Sequence, residues 1–141
     1  MIGVIADPKD HAVVREFFEL FKTPWEFCRR ESRYDILLCT ESEFERNAKL
    51  VLYYKGQKTD SDDEQKVHAH HQQKSSGMLL HRGDRIPIYG DTLTFAGRVS
   101  DLLTDEDSRE SALYAEQSRE GALVRIGYDL FAEIRHLPPA A

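Results

Sequence analysis

The sequence predicts an α/β protein: a single layered domain with a mostly parallel, Rossmann-like or flavodoxin-like central sheet, extended by antiparallel hairpin strands in its second half. Three observations carry this expectation. The chain opens with "IGVIAD", a short β-branched apolar run, followed at once by a helix start and an apolar stripe at helical spacing. It continues with "YDILLCT", whose uninterrupted apolar centre suits a strand buried on both faces of a parallel sheet. Its second half is built of short alternating segments punctuated by glycine turns.

Bulk properties narrow the class. At 141 residues the chain suits one domain with its own core, expected over 1–137, with 138–141 as a tail. A hydrophobic fraction of 40% and a charged fraction of 31% are those of a folded globular protein. The net charge of -6 argues against a general nucleic-acid binder, which needs a concentrated basic surface. No apolar run approaches the ~18 residues of a membrane span. The opening "MIGVIADPKD" lacks the basic start and cleavage site of a secretory signal, so a cytoplasmic location is expected. Cys28 and Cys39 are too few for a disulfide scaffold and suit a reducing compartment, as small buried hydrophobes.

The elements follow in order. Residues 2 to 6 read as a buried strand. Asp7 is placed to cap a helix, with Pro8 at its first position and Asp10 in an acidic first turn. Val13, Val14, Phe17, Phe18 and Phe21 form one apolar stripe, and Lys22, Thr23 and Pro24 end the helix. "WEFCRRE" alternates like an edge strand, "YDILLCT" reads as a central one, and the polar link "ESEFERNA" leads to the strand "KLVLYYK". Residues 56–76 are almost free of apolar side chains and read as a mobile loop or functional flap. "GMLLHRGDRIPIYG" reads as two strands around Gly83-Asp84, and "TLTFAG" as another. "ALYAEQ" and "ALVRIG" are strands joined by the "SREG" turn, and a last helix runs from Tyr128 to Leu137.

Several residues carry usable chemistry. Asp7, Cys39, Thr40 and Glu41 fall at the carboxyl ends of expected strands, where open parallel sheets bind ligands. Cys39 serves as a nucleophile only with a depressed pKa and a partner base. Its nearest neighbour in sequence with suitable chemistry is His11, expected to face solvent from the first helical turn. His68, His70 and His71 form "HAHH" in the polar loop, and neutral imidazoles bind zinc, nickel or copper. Against this stand the lack of neighbouring cysteines and the reading of these histidines as solvated. "RGD" at 82–84 reads as a hairpin turn, and Tyr128-Asp129 as the handover from a strand to a helix, with Gly127 allowing close packing.

The closing hairpin, glycine turn, strand and "GYDLF" resemble class I glutamine amidotransferase-like domains, as do "VIAD" and "YDILLCTE" in the first half. "IPIYG", "LTFAG" and "VRIGYDLFAEI" also resemble the module that precedes the catalytic part of some polysaccharide deacetylase-like proteins. No "GxCxG" nucleophile turn occurs, so the resemblance implies a domain that does not hydrolyse glutamine. Its leading implication is a non-catalytic binding or docking module, partnered by a carbohydrate-modifying enzyme. A homodimer formed through an uncovered edge strand is the other expected partnership. Two alternatives remain open from the residues: a small enzyme working in a crevice at Asp7, Cys39 and Glu41, and a metal-responsive protein working through the histidine loop.

Overall fold

Ile2–Ile5 (β1), apolar with three of its four residues β-branched, forms the first strand and leads through Ala6 to Asp7. A carboxylate there satisfies a helix start: Asp7 accepts the Lys9 N–H at 3.0 Å, with Pro8 next in the chain. One turn of tighter helix, Pro8–Asp10, continues as α1, His11–Glu19. The computed structural model describes residues 1–20, 22–29, 31–41, 48–57, 68–73, 77–96, 102–118 and 121–135, with the backbone alone for 68–73 and 118. Phe21, most of the "ESEFERNA" link and the 138–141 tail therefore lie outside the described residues.

The largest sheet has six strands. Its order is β10 (Leu113–Ser118), β11 (Gly121–Ile126), β4 (Ala48–Tyr54), β3 (Tyr34–Cys39), β1 and β2 (Trp25–Phe27). β2, β1, β3, β4 and β11 run parallel, whereas β10 pairs antiparallel with β11. Two further antiparallel assemblies stand apart. β5 (His68–Gln73) pairs with β8 (Thr92–Ala96), and β6 (Gly77–His81) lies between β7 (Asp84–Ile88) and β9 (Thr104–Asp105). The β6–β7 turn sets Arg82 and Gly83 at φ +50° and +85°, the left-handed pair that a tight hairpin needs. Pro87 sits on β7, an edge strand of its sheet, where a missing N–H costs no ladder bond.

Each strand of the large sheet sends alternate residues to opposite faces, and the two faces are covered differently. On one, Val4 and Leu38 pack against Val14 and Phe18 of α1 and Phe131 of the last helix, α2 (Leu130–Arg135). On the other, Leu37, Cys39, Val51, Tyr53 and Leu123 pack against Leu93 and Phe95 of β8. A third cluster joins Leu79 and Ile88 of the three-stranded sheet to Ala112 and Ile126.

This arrangement overturns the Rossmann-like or flavodoxin-like α/β layering expected from the sequence. Strands far outnumber helices among the described residues, in one mixed sheet and two antiparallel assemblies. A doubly wound sheet buries both faces under helices. Here helices cover one face and strands the other, because the hairpins of the second half fold over the sheet rather than only extending its edge. Part of the polar 56–76 segment joins this cover: residues 68–73 form β5, while 58–67 and 74–76 lie outside the described residues.

Gly127 is the tightest joint between the layers. Its N–H donates to the Ala112 carbonyl at 2.8 Å, and its own carbonyl accepts the Leu93 N–H at 2.7 Å. A β-carbon there would overlap the Leu93 carbonyl, which is backbone and cannot turn aside. Gly127→Ala is therefore expected to destabilise the fold by about 1–3 kcal/mol, the usual range for overpacking. A urea midpoint indistinguishable from that of the parent chain would contradict this joint.

Candidate functional site

Parallel pairing brings the carboxyl ends of β1, β3, β4 and β11 to one edge of the large sheet. A cleft of about 250 Å³ opens there. Its walls come from four segments: Lys9 beyond β1; Lys55, Gly56 and Gln57 beyond β4; Gly90 and Asp91 between β7 and β8; and Asp129, Ala132, Glu133 and Arg135 of the last helix and its start. Open parallel sheets bind ligands at this edge because loops from several strands converge on it.

The charged walls are positioned by contacts made within the protein. Asp129 Oδ1 accepts the N–H groups of Phe131 and Ala132, each at 3.1 Å, and so caps α2. One turn on, Glu133 reaches across to the link after β7. Its Oε2 accepts the Tyr89 N–H and its Oε1 the Gly90 N–H, both at 2.8 Å. Arg135 Nε lies 3.3 Å from Oδ1 of Asp10, a carboxylate that is only 2% exposed. α2 is thereby tied both to the turn after β1 and to the link before β8.

Beneath the cleft lies Arg125, whose side chain is fully buried. Nη1 donates to the carbonyls of Lys55 at 2.7 Å and Ile126 at 2.6 Å, and Nη2 to that of Gln57 at 2.8 Å. The guanidinium carbon lies 5.0 Å from the ring centre of Tyr53 and 5.2 Å from that of Phe95. A buried cation is tolerated only when its donors and charge are met, and here carbonyl dipoles and two ring faces meet them. The floor of the cleft at 55–57 takes its course from this side chain.

None of the four residues expected from sequence to form a crevice, Asp7, Cys39, Thr40 and Glu41, is among those that line this cleft. Asp7 is engaged in capping. Thr40 is buried, with its N–H bonded to the Ile5 carbonyl at 2.9 Å, and its carbonyl receives Lys55 Nζ at 3.3 Å. Cys39 points into the core, its Sγ donating to the Glu41 carbonyl at 3.1 Å. Burial pushes this thiol up to about 12, far from the thiolate that a nucleophile needs. His11 stacks on Phe27 with ring centres 4.0 Å apart and lies within 3.2 Å of the Ala6 carbonyl, rather than facing solvent. Tyr128 packs against Tyr54 at 5.5 Å, and burial raises both phenols. His68, His70 and His71 fall on β5, whose side chains lie outside the described residues. Among the described residues no group of three or more His, Cys, Asp or Glu side chains is placed to hold a metal, and no helix is long and apolar enough to cross a membrane.

Lys9, Arg125 and Glu133 were not singled out by the sequence reading. Arg125 was the findable one. It has the same parity as buried Leu123 in "ALVRI", and a charge at an inward strand position must be paired. Lys9 and Glu133 enter the site only through tertiary folding.

No protein-family model matches the chain, and no curated protein sequence matches it. Among solved structures the fold is similar to part of Gan42B, a GH42 beta-galactosidase from G. stearothermophilus, with a TM-score of 0.64 and 11% identity over 89% of this chain. It is also similar to an exo-beta-1,4-mannosidase from Opitutaceae bacterium strain TAV5, with a TM-score of 0.67 and 7% identity over 94%. A beta-galactosidase from the psychrophilic Marinomonas ef1 aligns with a TM-score of 0.62 and 10% identity over 95%. The chain spans only 27%, 32% and 27% of those proteins, respectively. These neighbours correct the resemblance drawn from short segments. The fold is that of a domain found within glycoside hydrolases, not a glutamine amidotransferase-like or polysaccharide deacetylase-like module. Segments such as "GYDLF" describe how a strand hands over to a capped helix, and many folds need that junction.

Two expectations test this description. Replacing Arg125 by Met leaves the Lys55 and Gln57 carbonyls without their donor and should cost about 2–4 kcal/mol by urea unfolding; a loss below about 0.5 kcal/mol would show the guanidinium to be dispensable. Cys39 should resist a thiol reagent at pH 8 in the folded chain while Cys28, half-buried, reacts. The sign of the linkage follows. The unfolded thiol ionises near 9.0 and the folded one near 12, so the folded state holds the extra proton between them. The contribution of Cys39 to stability should therefore be fully present below pH 9 and fall as pH rises towards 12, a slope that Cys39→Ala should reduce.

Proposed function

We propose that this chain is a non-catalytic accessory domain that associates with a glycoside hydrolase. One observation carries the reading: the fold matches nine-tenths of this chain but less than a third of each hydrolase, so its counterpart there is one part of a larger enzyme. The chemistry of the cleft supports it. Asp129 and Glu133 are engaged by backbone N–H groups, Asp10 by Arg135, and the Cys39 thiol is held protonated in the core. Glycoside hydrolysis calls for two carboxyl groups flanking a bond, one free to give a proton and the other to attack or activate water. Carboxylates occupied in holding the fold are poor candidates for that work.

The alternative of a small enzyme in the Asp7, Cys39 and Glu41 crevice is disfavoured by the burial of Cys39. The experiment pairs two measurements on the purified chain. Aryl β-galactosides and aryl β-mannosides should not be turned over, and affinity capture from the source extract should recover a glycoside hydrolase. Turnover that disappears in Glu133→Gln or Asp129→Asn would overturn the non-catalytic role. Capture that repeatedly yields no carbohydrate-active enzyme would overturn the association.

A further inference from the structure

Beyond an accessory role, the cleft at the carboxyl edge has binding capacity left over, and it is of one sign. Two of its acids are engaged by protein donors, Glu133 at the turn after β7 and Asp129 at the start of α2, a third, Asp91, has a partner of its own, and Arg135 is engaged by Asp10. Two cations remain. Lys9 is exposed at the rim and, among the described residues, forms no ion pair. Lys55 is half-buried, and its ammonium is committed to one 3.3 Å bond with the Thr40 carbonyl, which uses one of its three N–H donors.

The floor supplies a further donor. Arg125 draws the carbonyls of Lys55 and Gln57 towards itself, and no peptide in the described chain is cis. In a planar trans peptide the N–H points opposite to the C=O, so the Gly56 N–H is turned away from Arg125, and Gly56 itself lines the cleft. Backbone N–H groups presented beside ammonium groups are a recurring way of holding anions. Among the described residues the lining contains no aromatic face for a sugar ring to stack on, and its one apolar side chain is that of Ala132.

We propose that this cleft binds a compact oxyanion, the phosphate or carboxylate group of a small molecule, between the ammonium groups of Lys9 and Lys55 with the Gly56 N–H beneath it. The volume of about 250 Å³ admits such a group with a short polar body. Asp129, Glu133 and Asp91 also line the cleft, so an anion is held on its lysine side. Arg125 is a positioning residue in this site, acting through the carbonyls it holds. The proposal stands or falls separately from any association with a hydrolase.

The test is a titration of the full chain at low salt, followed by NMR or calorimetry, with inorganic phosphate, acetate and glucose as probes. Saturable binding of phosphate or acetate is expected, weakened by added salt. Lys9→Ala and Lys55→Gln should each weaken it about tenfold. Lys49→Ala, which removes an exposed lysine elsewhere on β4, should leave it unchanged. Thermal melting establishes that each variant is folded. A preference for phosphate over acetate would identify a phosphorylated ligand, and the reverse a carboxylate. The proposal is overturned by the absence of saturable binding to either anion, by equal weakening in the Lys49 variant, or by binding of glucose in preference to both.

Discussion

A guanidinium with no solvent around it organises this fold. Arg125 comes from β11, the second strand of the large sheet, and joins the Tyr53 ring from β4, the Phe95 ring from β8, and the chain beyond β4 at Lys55 and Gln57. Removing a cation from water is costly, by several kcal/mol even after the surroundings relax, so its partners cannot drift without exposing that cost. The same contact that seats the strand cover on the sheet also fixes the course of residues 55–57. Packing and candidate site are therefore one structure, joined at a single side chain.

The unequal covering of the sheet explains where the cleft lies. α1 and α2 share one face, and the ion pair between Arg135 and Asp10 ties the end of α2 to the turn before α1. Strand β8 occupies the other face, and the link that leads into it is held by Glu133 of α2. The two covers thus meet over the carboxyl edge of the parallel strands, and the cleft is the space left where they meet. Had helices covered both faces, that link would not reach the edge.

How much of this was legible in the residues differs from one element to another. The Asp7-Pro8 start, the Val14 and Phe18 stripe, the buried β3 and a hairpin turn within 82–84 are local, dictated by spacing, capping and backbone freedom within a few residues. The capping role of Asp7 was legible too. The β5 strand was not, since a polar segment carries no hydrophobic period and is recruited only by pairing with β8. Lys9, Lys55 and Glu133 belong to elements far apart in the chain, and no spacing rule connects them.

The sequence by itself determined the local grammar: one α/β opening, a buried central strand, hairpins at glycine turns and an acidic overall charge. Only the tertiary structure decided that the second half would lie across the sheet, that Cys39 would be sealed in the core, and that a cleft would open between α2 and the β7–β8 link. The reason is physical. Periodicity records which side of an element is buried, but not what buries it. That choice is made by long-range contacts such as those of Arg125, whose energy appears only once distant strands have met.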